Sequence, residues 1–286
     1  MGRSVDAQVS AVRNWSGAFR TAAVLVVIWV VFAAFPGATG IVVLLRPDGI
    51  YVAADSTVLN ADLKKVRSDL CKIVPGRKVV IALAGTTAGR FAQRNVLTGE
   101  TKLGDSFNLF ELARQAVQGA ESVDEAIATF ERLSLPILDR IVQQDGGTAL
   151  DTQQRQSGAV AQAVVAAYRS GAAEVVLIDY RRQLQAGRPG RVVGVQTRCP
   201  PTCPINGLPM AVGQVDETIY SAWLTLAPDI RADPVRTAER LLTEQAKALE
   251  AQGHTDFIAP PFDVIRISLG RLDWKVRKDT CAAIER

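Results

Sequence analysis

One histidine and four cysteines limit the chemistry open to this chain of 286 residues. The single ring, His254, excludes a three-histidine zinc site and would have to serve alone in any Ser-His-Asp triad. It stands in a Gly-His-Thr-Asp stretch with no second histidine or cysteine near it, so it reads as structural. The glycine-rich phosphate and dinucleotide loops, the GxSxG nucleophile elbow and the HExxH zinc motif are all missing from the sequence. Cys71, Cys199, Cys203 and Cys281 allow three disulfide pairings, of which Cys199 with Cys203 would close within one short loop. A four-cysteine zinc site is a formal alternative, but it needs a second close pair, and Cys71 and Cys281 are solitary. Cys71 adjoins Lys72 and reads as buried or disulfide-linked rather than as a nucleophile. No metal and no organic cofactor is implied. Arg181, Arg182, Arg188, Arg191 and Arg198 gather around a Gly/Pro-rich connection, which reads as a solvated hairpin.

The elements that would position such chemistry follow from pattern. Apolar residues make up 48% and charged residues 22%, which is globular composition and excludes a largely disordered chain. The net charge is only +4, too small and too dispersed for a nucleic-acid footprint. Residues 21–35 form an uncharged apolar run preceded by Arg20 and broken by Pro36-Gly37-Ala38. That is the layout of an export signal, either cleaved or kept as a membrane anchor. The chain is therefore expected to be exported, to the periplasm, the exterior or the membrane surface, with residues 1–38 as signal, anchor or propeptide. Export also makes disulfides permissible.

Beyond residue 38 strands and helices alternate. Residues 41–45 and 50–54 are apolar runs joined by Arg46-Pro47-Asp48-Gly49, a hairpin whose strands are covered on both faces. Residues 72–74 and 78–84 form a second hairpin around Pro75-Gly76. Ser122 with Glu125 caps a helix that Pro136 kinks or ends. Residues 159–168 and 174–180 are strands. Ile219, Ala222, Trp223 and Leu226 mark one helix, and Asp233-Pro234 caps another carrying Ala238, Leu241, Leu242 and Leu249. Residues 264–269 and 274–276 end the chain as strands. This order predicts an α/β (α+β) protein with two stacked antiparallel sheets flanked by helices.

From Thr39 the sequence resembles a mature proteasome β-type subunit, a member of the N-terminal nucleophile hydrolases. A threonine opens the first strand, and the hairpin ends in Ala53-Ala54-Asp55-Ser56, with the aspartate sixteen residues after the threonine. Lys72-Ile73 starts a third strand, and a strand ending in Ala84-Gly85 follows. The resemblance extends through the central hairpin of residues 164–180 and Ala211-Val212-Gly213, which looks like the family's turn into its next helix. It implies a four-layer αββα sandwich over residues 39–286.

It also implies roles. Thr39 would be the nucleophile, and its freed α-amine would be the base. Lys72 would lower the proton affinity of that amine, and Asp55 would hold Lys72. The Gly85 N–H would serve the oxyanion. Asp256 would match the family's second aspartate, which orients the amine. Several positions depart from the family. Lys72 lies one residue further from the threonine, and Gly85 one residue closer to Lys72. Ala38 precedes the threonine where glycine is usual, and Gly40 follows it where a hydroxyl residue is common. Gln214-Val215 replaces a Ser-Gly pair, and Ala259 a serine.

Two readings follow. The first is an exported threonine peptidase or amidohydrolase acting on a peptide or other amide. The second is an inactive member of the fold, used for assembly or binding at the cell envelope. Ring-like homo-oligomers are expected by family analogy only.

Overall fold

The computed structural model describes residues 40–59, 65–67, 70–94, 101–144, 159–185, 188–202, 209–213, 218–253 and 257–284. Thr39, Cys203, Asp256, His254 and the apolar run 21–35 lie outside them. Among the described residues no helix is long and apolar enough to cross a membrane.

Strands β1 (Gly40–Arg46) and β2 (Gly49–Ala54) pair as the expected hairpin, from Ile41 opposite Ala54 to Arg46 opposite Gly49. Gly49 has φ +147°, and a Cβ there would stand 2.5 Å from the Ile267 carbonyl oxygen, so only glycine fits the turn. With β12 (Met210–Gly213), β13 (Asp263–Ser268) and β14 (Arg271–Val276) this hairpin builds one antiparallel sheet in the order β12-β1-β2-β13-β14.

The second antiparallel sheet has the order β11-β10-β9-β6-β5. It contains β5 (Ile73–Pro75), β6 (Val79–Gly85), β9 (Ala159–Arg169), β10 (Ala172–Gln185) and β11 (Arg188–Cys199). Two small hairpins stand apart, β3 (Val58–Leu59) with β4 (Lys65–Arg67), and β7 (Ala88–Arg94) with β8 (Thr101–Asn108).

Three apolar layers hold these sheets. Strand residues alternate between faces, so Ile41, Val43 and Val52 meet Ile73, Val80, Ala82 and Val164 between the sheets. The other face of β1 and β2, with Val42, Leu44 and Ala53, packs on Ile219, Leu241 and Leu242 of α3 (Thr218–Thr225) and α5 (Pro234–Ala251). The outer face of the second sheet, with Val79, Ile81 and Leu83, packs on Leu109, Phe130 and Leu138 of α1 (Leu109–Val117) and α2 (Val123–Gln144). These described residues therefore form an αββα sandwich. Burial on both faces explains why neither strand of the first hairpin alternates polar with apolar. The short helices α4 (Pro228–Ala232) and α6 (Asp279–Ile284) complete the set.

Capping holds as expected. The Ser122 hydroxyl accepts from Glu125 N at 3.2 Å, and Asp233 Oδ1 accepts from Val235 N at 2.9 Å. The arginine-rich stretch is a hairpin as expected: β11 pairs along β10, with Val192 buried and Arg191, Val193 and Val195 exposed. Two of its arginines are ion-paired, Arg181 with Asp179 at 2.5 Å and Arg198 with Asp124 at 2.5 Å. Two expectations are corrected. Pro136 does not end helix α2, which continues to Gln144 because Leu138, Ile141 and Val142 keep its apolar face on the sheet. Residues 211–213 belong to β12, an edge strand on β1, rather than to a turn.

Candidate functional site

The start of β1 and the end of β2 lie side by side, and this brings Asp55 to the first described residue of the chain. Asp55 N donates to the Gly40 carbonyl at 3.1 Å, and Gly40 N donates back to Asp55 Oδ1 at 3.0 Å. Thr57 N donates to Asp55 Oδ2 at 2.8 Å. Lys72 stands just before β5, held by Leu83 N donating to its carbonyl at 3.1 Å. From there its Nζ reaches Asp55 Oδ1 at 2.8 Å. Asp55 and Lys72, expected together from the sequence, thus form one buried ion pair, with exposures of 0% and 2%.

Such a pair contributes little net stability, because desolvating two charges offsets their attraction. Burial pushes the Lys72 ammonium below its ordinary pKa of 10.5; the Asp55 carboxylate opposes this, and the Lys278 ammonium adds to it. Between the lowered native value and 10.5 the unfolded chain holds more protons, so this group makes stability rise with pH across that window. A buried cation of weakened proton affinity beside a strand terminus is the type of group that clusters at functional sites.

Gly85 ends β6 with φ +85°, opposite Ala161 on β9. A Cβ there would stand 3.0 Å from the Val160 oxygen and 3.1 Å from the Ala161 α-carbon, both backbone atoms. Gly85→Ala is expected to cost about 1–3 kcal/mol through this strain. Denaturant melts measure it, and a variant as stable as the parent would show that the strand end relaxes freely.

Next to Ala161, Gln162 joins the two sheets. Its Nε2 donates to Asp179 Oδ1 at 2.7 Å, and its Oε1 accepts from Gly213 N at 2.9 Å. Gly213 is the β12 partner of Gly40. The ends of β1, β2, β6 and β12 therefore converge on one rim of the sandwich. Sequence reasoning missed Gln162; its signal is one polar residue inside an otherwise apolar strand. Gly40 also gains a reason. A Cβ on it would lie 2.8 Å from both Ile258 Cδ1 and Leu242 Cδ2, so the hydroxyl residue common at that position would require these two side-chain ends to move.

A second buried pair was not anticipated. Lys278 Nζ lies 2.5 Å from Asp263 Oδ2, with exposures of 9% and 0%. Lys278 N donates to Asp263 Oδ1 at 3.0 Å, and its Nζ donates to the Leu70 carbonyl at 3.1 Å. Beside it Cys71 and Cys281 form a disulfide, and Cys199 is disulfide-bonded too. Sulfurs joined in this way are not zinc ligands, which removes the four-cysteine alternative.

No family model and no curated protein matches the chain. Solved structures do, and one is the crystal structure of eukaryotic HslV from Trypanosoma brucei, 16% identical. The match covers 80% of this chain and 99% of that one, with a TM-score of 0.41. The fold assignment rests on strand order and the three apolar layers, not on this likeness.

Proposed function

We propose that the protein is an exported, proteasome-like N-terminal threonine hydrolase that cleaves peptide or other amide bonds. Thr39 would act after removal of residues 1–38. The observation that carries this reading is the double use of Asp55 Oδ1, which accepts both Lys72 Nζ and Gly40 N. Gly40 N is the nitrogen that Thr39 acylates, so standard bond lengths keep the Thr39 α-carbon within about 2.5 Å of it. A residue 39 with a free amine would thus begin beside a buried ammonium.

In this mechanism the Thr39 hydroxyl gives its proton to its own α-amine, and Oγ attacks the scissile carbonyl carbon. An α-amine has an ordinary pKa near 7.7–8.0, and the Lys72 charge beside it favours the neutral, basic form. The Gly85 N–H is assigned to the oxyanion, and the α-ammonium returns the proton to the leaving amine. Water, deprotonated by the same amine, then hydrolyses the ester on Oγ and regenerates Thr39. Asp256 is assigned to orienting the amine. Homo-oligomer assembly belongs to the same proposal, whereas attachment through residues 21–35, if these are kept, belongs to the non-catalytic reading.

The test is the N-terminus of the protein from its native compartment, read by intact mass and Edman sequencing, together with Thr39→Ala. The expected outcome is a chain starting at Thr39 and an amidase activity that falls on the order of 10³-fold or more in the variant. A chain that keeps Ala38, or activity indifferent to Thr39→Ala, removes the threonine mechanism and leaves the non-catalytic reading.

A further inference from the structure

Four charged side chains meet inside this rim, and only two have a place in the proposed chemistry. Asp55 and Lys72 form one pair, and Asp263 and Lys278 form the other. They are neighbours through the backbone as well. Asp263 stands opposite Ala54 in the β2–β13 register, one residue from Asp55. Lys278 donates to the carbonyl of Leu70, two residues before Lys72. Burying a second ion pair this deeply carries a desolvation cost that well-packed apolar residues would avoid.

We propose that Lys278, seated by Asp263 and the Leu70 carbonyl, is a positioning residue for the Lys72–Asp55 pair. Its first effect is steric. It fixes the segment 70–72 against the link between β14 and α6, where the Lys278 carbonyl also accepts from Cys281 N at 3.0 Å. Its second effect is electrostatic. The charged groups acting on Lys72 are Asp55 on the β2 side and Lys278 after β14, and Asp263 on β13 faces both of them. Of these only Lys278 is a cation, and it weakens the hold of Lys72 on its proton. Burial pushes the Asp263 carboxyl up, and Lys278 opposes that rise, so each group depends on the other.

This inference rests on reading Lys72 as part of the active site, but its test needs no turnover, so the two can fail separately. The full chain as it is recovered is labelled with ¹³C at lysine Cε, and Lys72 is assigned by its disappearance in Lys72→Arg. Its titration midpoint is then compared in the parent, Lys278→Met and Lys278→Arg. The expected result is a midpoint raised by about one pH unit in Lys278→Met and left in place by Lys278→Arg. Protonation of Asp263 in Lys278→Met would remove an anion and shrink this rise, so Asp263→Asn is also compared with Lys278→Met plus Asp263→Asn, a pair in which residue 263 carries no charge in either arm. A purely structural Lys278 would lower stability and leave the Lys72 midpoint where it was, which overturns the proposal. If Lys278→Met does not fold alone, the comparison of Asp263→Asn with the double variant carries the test, and equal midpoints in those two overturn the proposal.

Discussion

Lys72→Met is expected to cost about 3–5 kcal/mol of folding stability and to abolish amide hydrolysis. The stability loss follows from burial. Asp55 has no solvent contact, and without Lys72 the Gly40 and Thr57 amides are the hydrogen-bond donors left to its carboxylate among the described residues. Breaking a buried pair from one side is costly because the other charge stays behind. Removing both charges is different. Lys72→Met with Asp55→Asn no longer buries a charge and keeps one oxygen acceptor for Gly40 N, at the loss of the acceptor for Thr57 N, so part of the lost stability should return. Activity should not return, because the cation that favours a neutral α-amine is gone. Denaturant midpoints and amidase rates on the two variants therefore separate the roles of the pair. A double variant that regains both would show that the pair is structural only.

Asp55 and Lys72 were legible as a pair only through the resemblance that carried their roles, while the short apolar runs beside them marked the strands that place them. The hairpin from Gly40 to Ala54 was legible for the same reason, as were the caps at Ser122 and Asp233, which depend on local residue type alone. Elements without a local signature were missed. Strand β11 carries arginines and glycines because one of its edges and alternate side chains face water, so it lacks the apolar run that marks its neighbours. The Asp263–Lys278 pair depends on β13 and β14 folding back on each other, and no short motif records that register. Gln162 shows the same limit. Its partners Asp179 and Gly213 come from two other strands, one of them in the opposite sheet. The identity of the residue at the Gly40 position was visible, but its cause was not, since Leu242 and Ile258 reach it from elements some two hundred residues away.

Cysteine connectivity has this character too, and it leads to the second large effect. The sequence left three pairings open, and the fold selects Cys71 with Cys281 across 210 residues. Closing a loop of that length removes much of the freedom of the unfolded chain, about 5 kcal/mol in the chain-entropy model. Measured values for native disulfides run at about 2–5 kcal/mol. Replacing both cysteines by alanine is thus expected to lower Tm by about 10 °C for a domain of this size. Calorimetry on the double variant checks this, and a Tm within about 2 °C of the parent would contradict it. The location adds a sharper expectation. Cys71 sits between Leu70, which accepts from Lys278, and Lys72, which donates to Asp55. The disulfide, the Lys278 contact and the Asp55 pair therefore anchor one three-residue segment from three sides. Without the disulfide, α6 is held to that segment by Lys278 alone among these anchors, and backbone amides near Lys72 should exchange faster than those in the β9–β10 hairpin, which keeps its ladder. Uniform loss of protection would instead mean that the bond acts only through the unfolded chain. Local loss would make the disulfide part of what holds the buried ammonium in place.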